Sequence, residues 1–202
     1  MRKFAARGLV MAMLALGTIG VSSTVGATPA SACSSQENSS AFAATLPQVN
    51  QGDRSAEVRG MQLALKDKGY GLTGTGFYGD NTLAAVKDFQ REHGIKDSGI
   101  VGSKTWQALV GRMPQHQTYA GEPPATVFQP GGHYPEDMFF LHNALNRING
   151  STGEYGDTYD AGTQAKVREF QRTVGLPEDA VVNAPTWRAL YTTFRVAGRS
   201  GC

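Results

Sequence analysis

The sequence predicts an all-α protein: two tandem copies of a small three-helix module behind an N-terminal signal peptide. Three observations predict it: an internal repeat, apolar stripes at helical spacing between capping residues and glycines, and a basic start followed by an apolar run.

The repeat is read by sliding the chain along itself. At an offset of 81 residues, Thr82, Val86, Phe89, Gln90, Gly94, Thr105, Trp106 and Leu109 fall on Thr163, Val167, Phe170, Gln171, Gly175, Thr186, Trp187 and Leu190. With Ala84/Ala165, Arg91/Arg172, Val101/Val182 and Ala108/Ala189 the identities are 12 in the 28 positions from 82 to 109, where chance gives about two. Upstream the offset is 80, pairing Met61 with Leu141 and Leu65 with Leu145, so copy two carries one extra residue in its Gly-rich connection.

Each copy carries three helix signals. In copy one, Ser55 caps a helix over 56–68 whose inward stripe is Val58, Met61 and Leu65, and Gly69 stops it. Asp80 caps a second helix over 81–93, with Leu83, Val86 and Phe89 inward and Gly94 as the stop. Gly102 or Ser103 opens a short third helix carrying Trp106, Leu109 and Val110. Copy two repeats the scheme: Pro135 near a start, then Met138, Leu141, Leu145 and Ile148; a helix over 161–174; and a third opened by Asn183. A module of this size buries only about 60% of its unfolded surface. Phe89 with Trp106, and Phe170 with Trp187, supply the large rings that close so small a core.

The N-terminus reads as a signal peptide over residues 1–32. Arg2, Lys3 and Arg7 precede an apolar run ending in the small residues Ala27 to Ala32. Glycines and hydroxyl residues interrupt that run, so it falls short of the roughly 20 continuous apolar residues of a membrane span. The chain has 19 basic and 17 acidic residues, three of the basic ones before Cys33, which leaves 16 − 17 = −1 for residues 33–202. No basic stripe remains to recruit nucleic acid. Composition divides the remainder into a flexible polar leader (33–45), copy one (46–112), an extended Pro-containing linker (113–126), copy two (127–196) and a C-terminal tail (197–202). The only cysteines are Cys33 and Cys202. Three readings stay open: a disulfide closing nearly the whole chain, adding up to about 5 kcal/mol by loop entropy, a lipid anchor on Cys33, which follows Ala30-Ser31-Ala32, or free thiols.

Copy one carries a connected pattern: Gly52 and Asp53, then Val58, Arg59, Gln62 and Leu65 with Gly69 and Tyr70. It continues through Gly79, Thr82, Ala85, Val86, Phe89 and Gln90, then Gly94 and Ile95, Ile100 to Gly102, and Thr105, Trp106 and Leu109. With this pattern copy one resembles the bacterial peptidoglycan-binding domain found beside cell-wall hydrolases. Copy two is a worn version, with Asp160 for Gly79, Ala180 for Gly99, Asn183 for Gly102 and His142 for Gln62. The resemblance implies a secreted or wall-associated, monomeric chain that binds the glycan and stem peptide of peptidoglycan without a cofactor. Ligand binding is expected at Tyr78, Gly79, Asp80, Thr82, Gln90, Gly99 and Gly102. Helix starts near Asp80 and Gly102 offer unpaired backbone N–H groups to amides and carboxylates. The 71–79 connection, with Tyr70, Phe77 and Tyr78, offers a wall for sugar rings.

No catalytic set is expected. The four histidines, His93, His116, His133 and His142, form no His-x-His or His-x-x-x-His pair, so no zinc site is read. The segment Arg199-Ser200-Gly201-Cys202 is superficially similar to a transpeptidase nucleophile segment but lacks a histidine ahead of it. The carboxylate pairs Asp157/Asp160 and Glu178/Asp179 read as solvated loop charges rather than the opposed walls of a glycosidase cleft.

Overall fold

The computed structural model describes residues 38–151 and 156–200, and among these it contains eight helices and no strands. The proposed signal peptide, Cys33 and Cys202 lie outside the described residues. Copy one contributes α2 (Ala56–Asp67), α3 (Asp80–Glu92) and α4 (Ser103–Leu109), and copy two contributes α6 (Met138–Asn149), α7 (Ala161–Val174) and α8 (Ala184–Val196). Two further helices, α1 (Ser39–Thr45) and α5 (Gln115–Thr118), occupy the expected leader and linker.

The helix starts follow local chemistry. Ser55 accepts from the Val58 N–H at 3.2 Å, Asp160 from the Thr163 N–H at 2.7 Å and Asn183 from the Thr186 N–H at 3.1 Å. Each satisfies one of the donors that a helix start leaves open. Asp80 departs from expectation. It is the first residue of α3 rather than its cap, and Gly79 holds the cap position without a side-chain bond.

The aromatic payload is internal. Phe89 and Trp106 belong to one apolar core with Val58, Met61, Leu65 and Val86; Phe170 and Trp187 belong to another with Leu141, Leu145 and Val167. Each indole N–H donates to a backbone carbonyl upstream, Trp106 to Pro47 at 2.7 Å and Trp187 to Thr126 at 2.9 Å. Short antiparallel bridges repeat as well: Val49 pairs with Val101, and Phe128 with Val182. Phe128 adds a ring to the second core, 5.5 Å from Trp187 between centroids.

The leader and linker differ from the expected flexible tether and extended spacer. Phe42 of α1 is buried in the first core, and the Arg195 guanidinium lies 3.8 Å over its ring. Thr118 of α5 is buried, shares a 2.8 Å hydrogen bond with Ser39, and its carbonyl accepts from Arg195 Nε at 2.8 Å. Small polar composition concealed these anchors, because one phenyl ring and one threonine suffice to pin segments this short.

The copies interlock rather than hang side by side. Helix α2 lies against α8, and the boundary is crossed in both directions. Ala56 and Leu63 of α2 join the second core, while Val196 of α8 joins the first. Gly60 makes the approach feasible, since a Cβ there would stand 2.6 Å from Val196 Cβ. At the C-terminus Arg199 pairs with Asp67 at 2.8 Å and donates to the carbonyls of Arg147 and Ile148. Sharing apolar faces eases the small-module problem, because each copy buries surface it could not cover alone. The corresponding stretch of α6 carries Phe139 and Phe140, both exposed, where α2 carries Arg59 and Gly60. The two copies are therefore not interchangeable in the packing.

Candidate functional site

A cleft of about 350 Å³ opens in copy one between the 71–79 connection and the start of α3, lined by Gln62, Thr73, Thr75, Phe77, Asp80 and Asn81 among others. Its floor is organised by Gln62, a polar residue on the otherwise apolar stripe of α2. The Gln62 amide donates to the Phe77 carbonyl (2.8 Å) and to the hydroxyls of Thr82 (2.9 Å) and Thr75 (3.1 Å), while its oxygen accepts from the Gly76 N–H at 2.8 Å. One buried amide thus fixes the connection against the helix start. Gln62→Ala leaves a buried N–H and carbonyl without their partner, and we expect a loss of about 1–3 kcal/mol in urea unfolding, together with weaker ligand binding.

Above this floor the surface is mixed. Phe77 is 41% exposed, and the Arg54 guanidinium sits 5.2 Å from its ring centroid. Threonine hydroxyls and the Asn81 amide stand nearby. The uncapped start of α3 contributes backbone donors and the positive end of a 13-residue helix. An apolar ring face beside hydroxyls, amides and N–H groups is the chemistry that holds a sugar ring and an adjoining amide or carboxylate.

The expected ligand residues divide. Gly79, Asp80 and Thr82 line the cleft; Asp80 is exposed and accepts from Gln51 at 2.6 Å, and Thr82 is buried beneath Gln62. Tyr78, Gln90 and Gly99 form an internal brace instead. Tyr78 is 0% exposed, and its hydroxyl donates to the Gly99 carbonyl at 2.6 Å. Gln90 accepts from the Gly99 N–H at 2.9 Å and donates to the Ile100 carbonyl at 2.8 Å and to Thr105 at 3.0 Å. Burial pushes the Tyr78 phenol well above its ordinary range, so it stays protonated as a donor. Gly102 is the cap of the seven-residue α4, away from the cleft. Tyr78, expected among the ligand residues, faces inward instead, because strand-like alternation turns Phe77 out and Tyr78 in. Of the cleft residues, Asn81, Thr73 and Thr75 carried no motif, whereas Gln62 was findable as the polar break in an apolar stripe.

Copy two repeats the brace and loses the cleft's chemistry. Tyr159 donates to Ala180 at 2.6 Å and Gln171 accepts from the Ala180 N–H at 3.0 Å. Ala180 has φ 60, a left-handed backbone that costs an alanine about 1 kcal/mol, so the brace geometry is kept without a glycine. At the helix start, however, Asp160 fills the donor site that Gly79 leaves open, and the Thr163 N–H bond holds its carboxyl below the ordinary range. Thr158 stands where Phe77 provides a ring. His142 replaces Gln62 and keeps the contact with the helix-start threonine, 3.1 Å to Thr163.

Burial, with Lys166 adding to it, lowers the His142 pKa below its usual 6.5. The unfolded chain then binds the proton more readily than the folded one, so stability is full above about pH 6.5 and falls as pH drops below it. We expect His142→Gln to flatten the loss of melting temperature between pH 7 and pH 5.

No catalytic constellation lines the cleft, whose one carboxylate is Asp80. Among the described residues no three His, Cys, Asp or Glu side chains group as metal ligands, and no helix is long and apolar enough to cross a membrane. His93 stacks on Phe89 at 4.0 Å, and exposed His133 lies 3.8 Å from Asp157. Glu178 and Asp179 are exposed, and Asp179 accepts from the Val181 N–H at 2.8 Å.

Fold and cleft together define a tandem helical module with an open cleft in copy one. The chain belongs to the family described as "Putative peptidoglycan binding domain", whose profile matches residues 54–109 and 135–190. It is 32% identical over 104 residues to an uncharacterized protein in the bpoA1 3′ region of Kitasatospora aureofaciens, covering 49% of this chain and 88% of that protein. It is also 30% identical over 118 residues to the N-acetylmuramoyl-L-alanine amidase CwlM of Mycobacterium tuberculosis, covering 57% of this chain but only 28% of the amidase.

Proposed function

We propose that this protein is a secreted, non-catalytic, monomeric cell-wall protein that holds peptidoglycan in the copy-one cleft. The observation that carries the reading is the pairing of exposed Phe77 with the uncapped start of α3 in one cleft, inside a region matched by the peptidoglycan-binding family. The ring takes a sugar face, and the helix start takes the carbonyl or carboxylate of the stem peptide. Copy two serves as the structural partner that completes the core.

The similarity to an amidase supports a second reading, a wall-lytic protein or a modulator of such enzymes. Incubation of the purified chain with insoluble wall sacculi separates the two. Co-sedimentation without clearing of turbidity is expected; clearing that is lost on replacing one acidic residue would require the lytic reading. Intact-mass measurement distinguishes a disulfide between Cys33 and Cys202 from a lipid on Cys33.

A further inference from the structure

The interlock of the copies creates a second opening that a lone copy would lack. This cleft, of about 560 Å³, lies between α2 with its following connection and α7, and its lining includes Arg54, Arg59, Thr73, Thr75, Glu169 and Arg172. Thr73 and Thr75 also line the copy-one cleft, so the two openings meet along one stretch of chain.

Three guanidiniums face one carboxylate here, and that carboxylate is engaged, since Glu169 pairs with Arg172. Arg59 is the least ordinary of them. It is 8% exposed, donates to the Thr173 hydroxyl and, at 3.3 Å, to Asn149, and lies 5.2 Å from the Phe170 centroid. Its Nε–H is buried without a hydrogen-bond partner. Burial brings its pKa down to about 10, with Glu169 opposing part of the effect, so the side chain stays charged at neutral pH. Arg54 is exposed, reaches the Thr173 carbonyl at 3.3 Å and bridges to the Phe77 ring. A buried guanidinium held by neutral acceptors, with one N–H unmatched and two more guanidiniums at the mouth, has the composition of an anion seat.

We propose that this inter-copy cleft is an anion subsite, taking a carboxylate or phosphate group of the wall polymer while the sugar and peptide backbone occupy the adjoining copy-one cleft. The inference rests on the wall-binding reading and deepens it. Its two sources are the free carboxylates of stem peptides and the phosphodiesters of wall polymers.

The test is calorimetric titration of the full chain with soluble disaccharide–peptide fragments whose peptide carboxyls are free or amidated, and separately with inorganic phosphate. The free-acid fragment should bind about tenfold more tightly than the amidated one. Arg172→Gln, at an exposed position of α7 outside the copy-one cleft, should bring the acid down towards the affinity of the amide while leaving the amide's own affinity in place. If phosphate is the natural ligand, inorganic phosphate binds and is lost in the Arg172→Gln variant, and sacculi stripped of phosphate polymers sediment less protein; that also upholds the subsite. Equal affinity for acid and amide with no phosphate binding, while sacculi still sediment the protein, would overturn the subsite and leave wall binding standing. Absence of sedimentation together with no binding of either fragment would overturn both.

Discussion

Gly76→Ala should destabilise the entire chain by about 3 kcal/mol, combining left-handed backbone strain with a collision at the boundary between copies. Gly76 has φ +72, and a Cβ on it would be driven into the backbone carbonyl of Thr173 on α7. That carbonyl belongs to a helix and cannot swing aside as a side chain would. Urea unfolding followed by fluorescence of Trp106 and Trp187, one in each core, should show a single transition at lower denaturant for both copies. A loss below about 0.5 kcal/mol, or a first core that unfolds alone, would mean that the copies are joined only by the chain between them.

The second large effect concerns binding. Phe77→Ala should weaken retention on wall sacculi about tenfold, the loss expected when an exposed ring that stacks on a ligand is removed. Thr158→Ala, at the equivalent position of copy two, should change retention less than twofold, on the order of 0.4 kcal/mol. The contrast matters more than either number, because both residues are exposed and neither substitution touches a core.

Caps and core stripes were legible because they depend on neighbours close in sequence, and the repeat because its two copies keep one pattern 81 residues apart. Ser55 and Asn183 cap the helices they were expected to cap, and Trp106 and Trp187 are fully internal. The site was legible in part. Gly79, Asp80 and Thr82 meet in the cleft, but Tyr78 faces the core because its hydroxyl finds the Gly99 carbonyl, a partner 21 residues away that no local pattern announces. The docking of α2 on α8 was not legible. Gly60, Val196 and Thr193 come together from opposite ends of the chain, and a glycine within a helix carries no mark of what will lie against it. The same distance in sequence hid Arg59, which matches the family pattern yet owes its burial to copy two.

In the proposed function copy one holds the wall at the start of α3 while copy two supports it. Backbone amide NMR of the full chain titrated with a soluble disaccharide–peptide wall fragment tests it most directly. Shifts are expected to concentrate at Thr75, Phe77, Asp80, Asn81 and Thr82, with Thr158, Asp160 and Thr163 unmoved. Shifts centred on the start of α7, with the copy-one cleft silent, would contradict it.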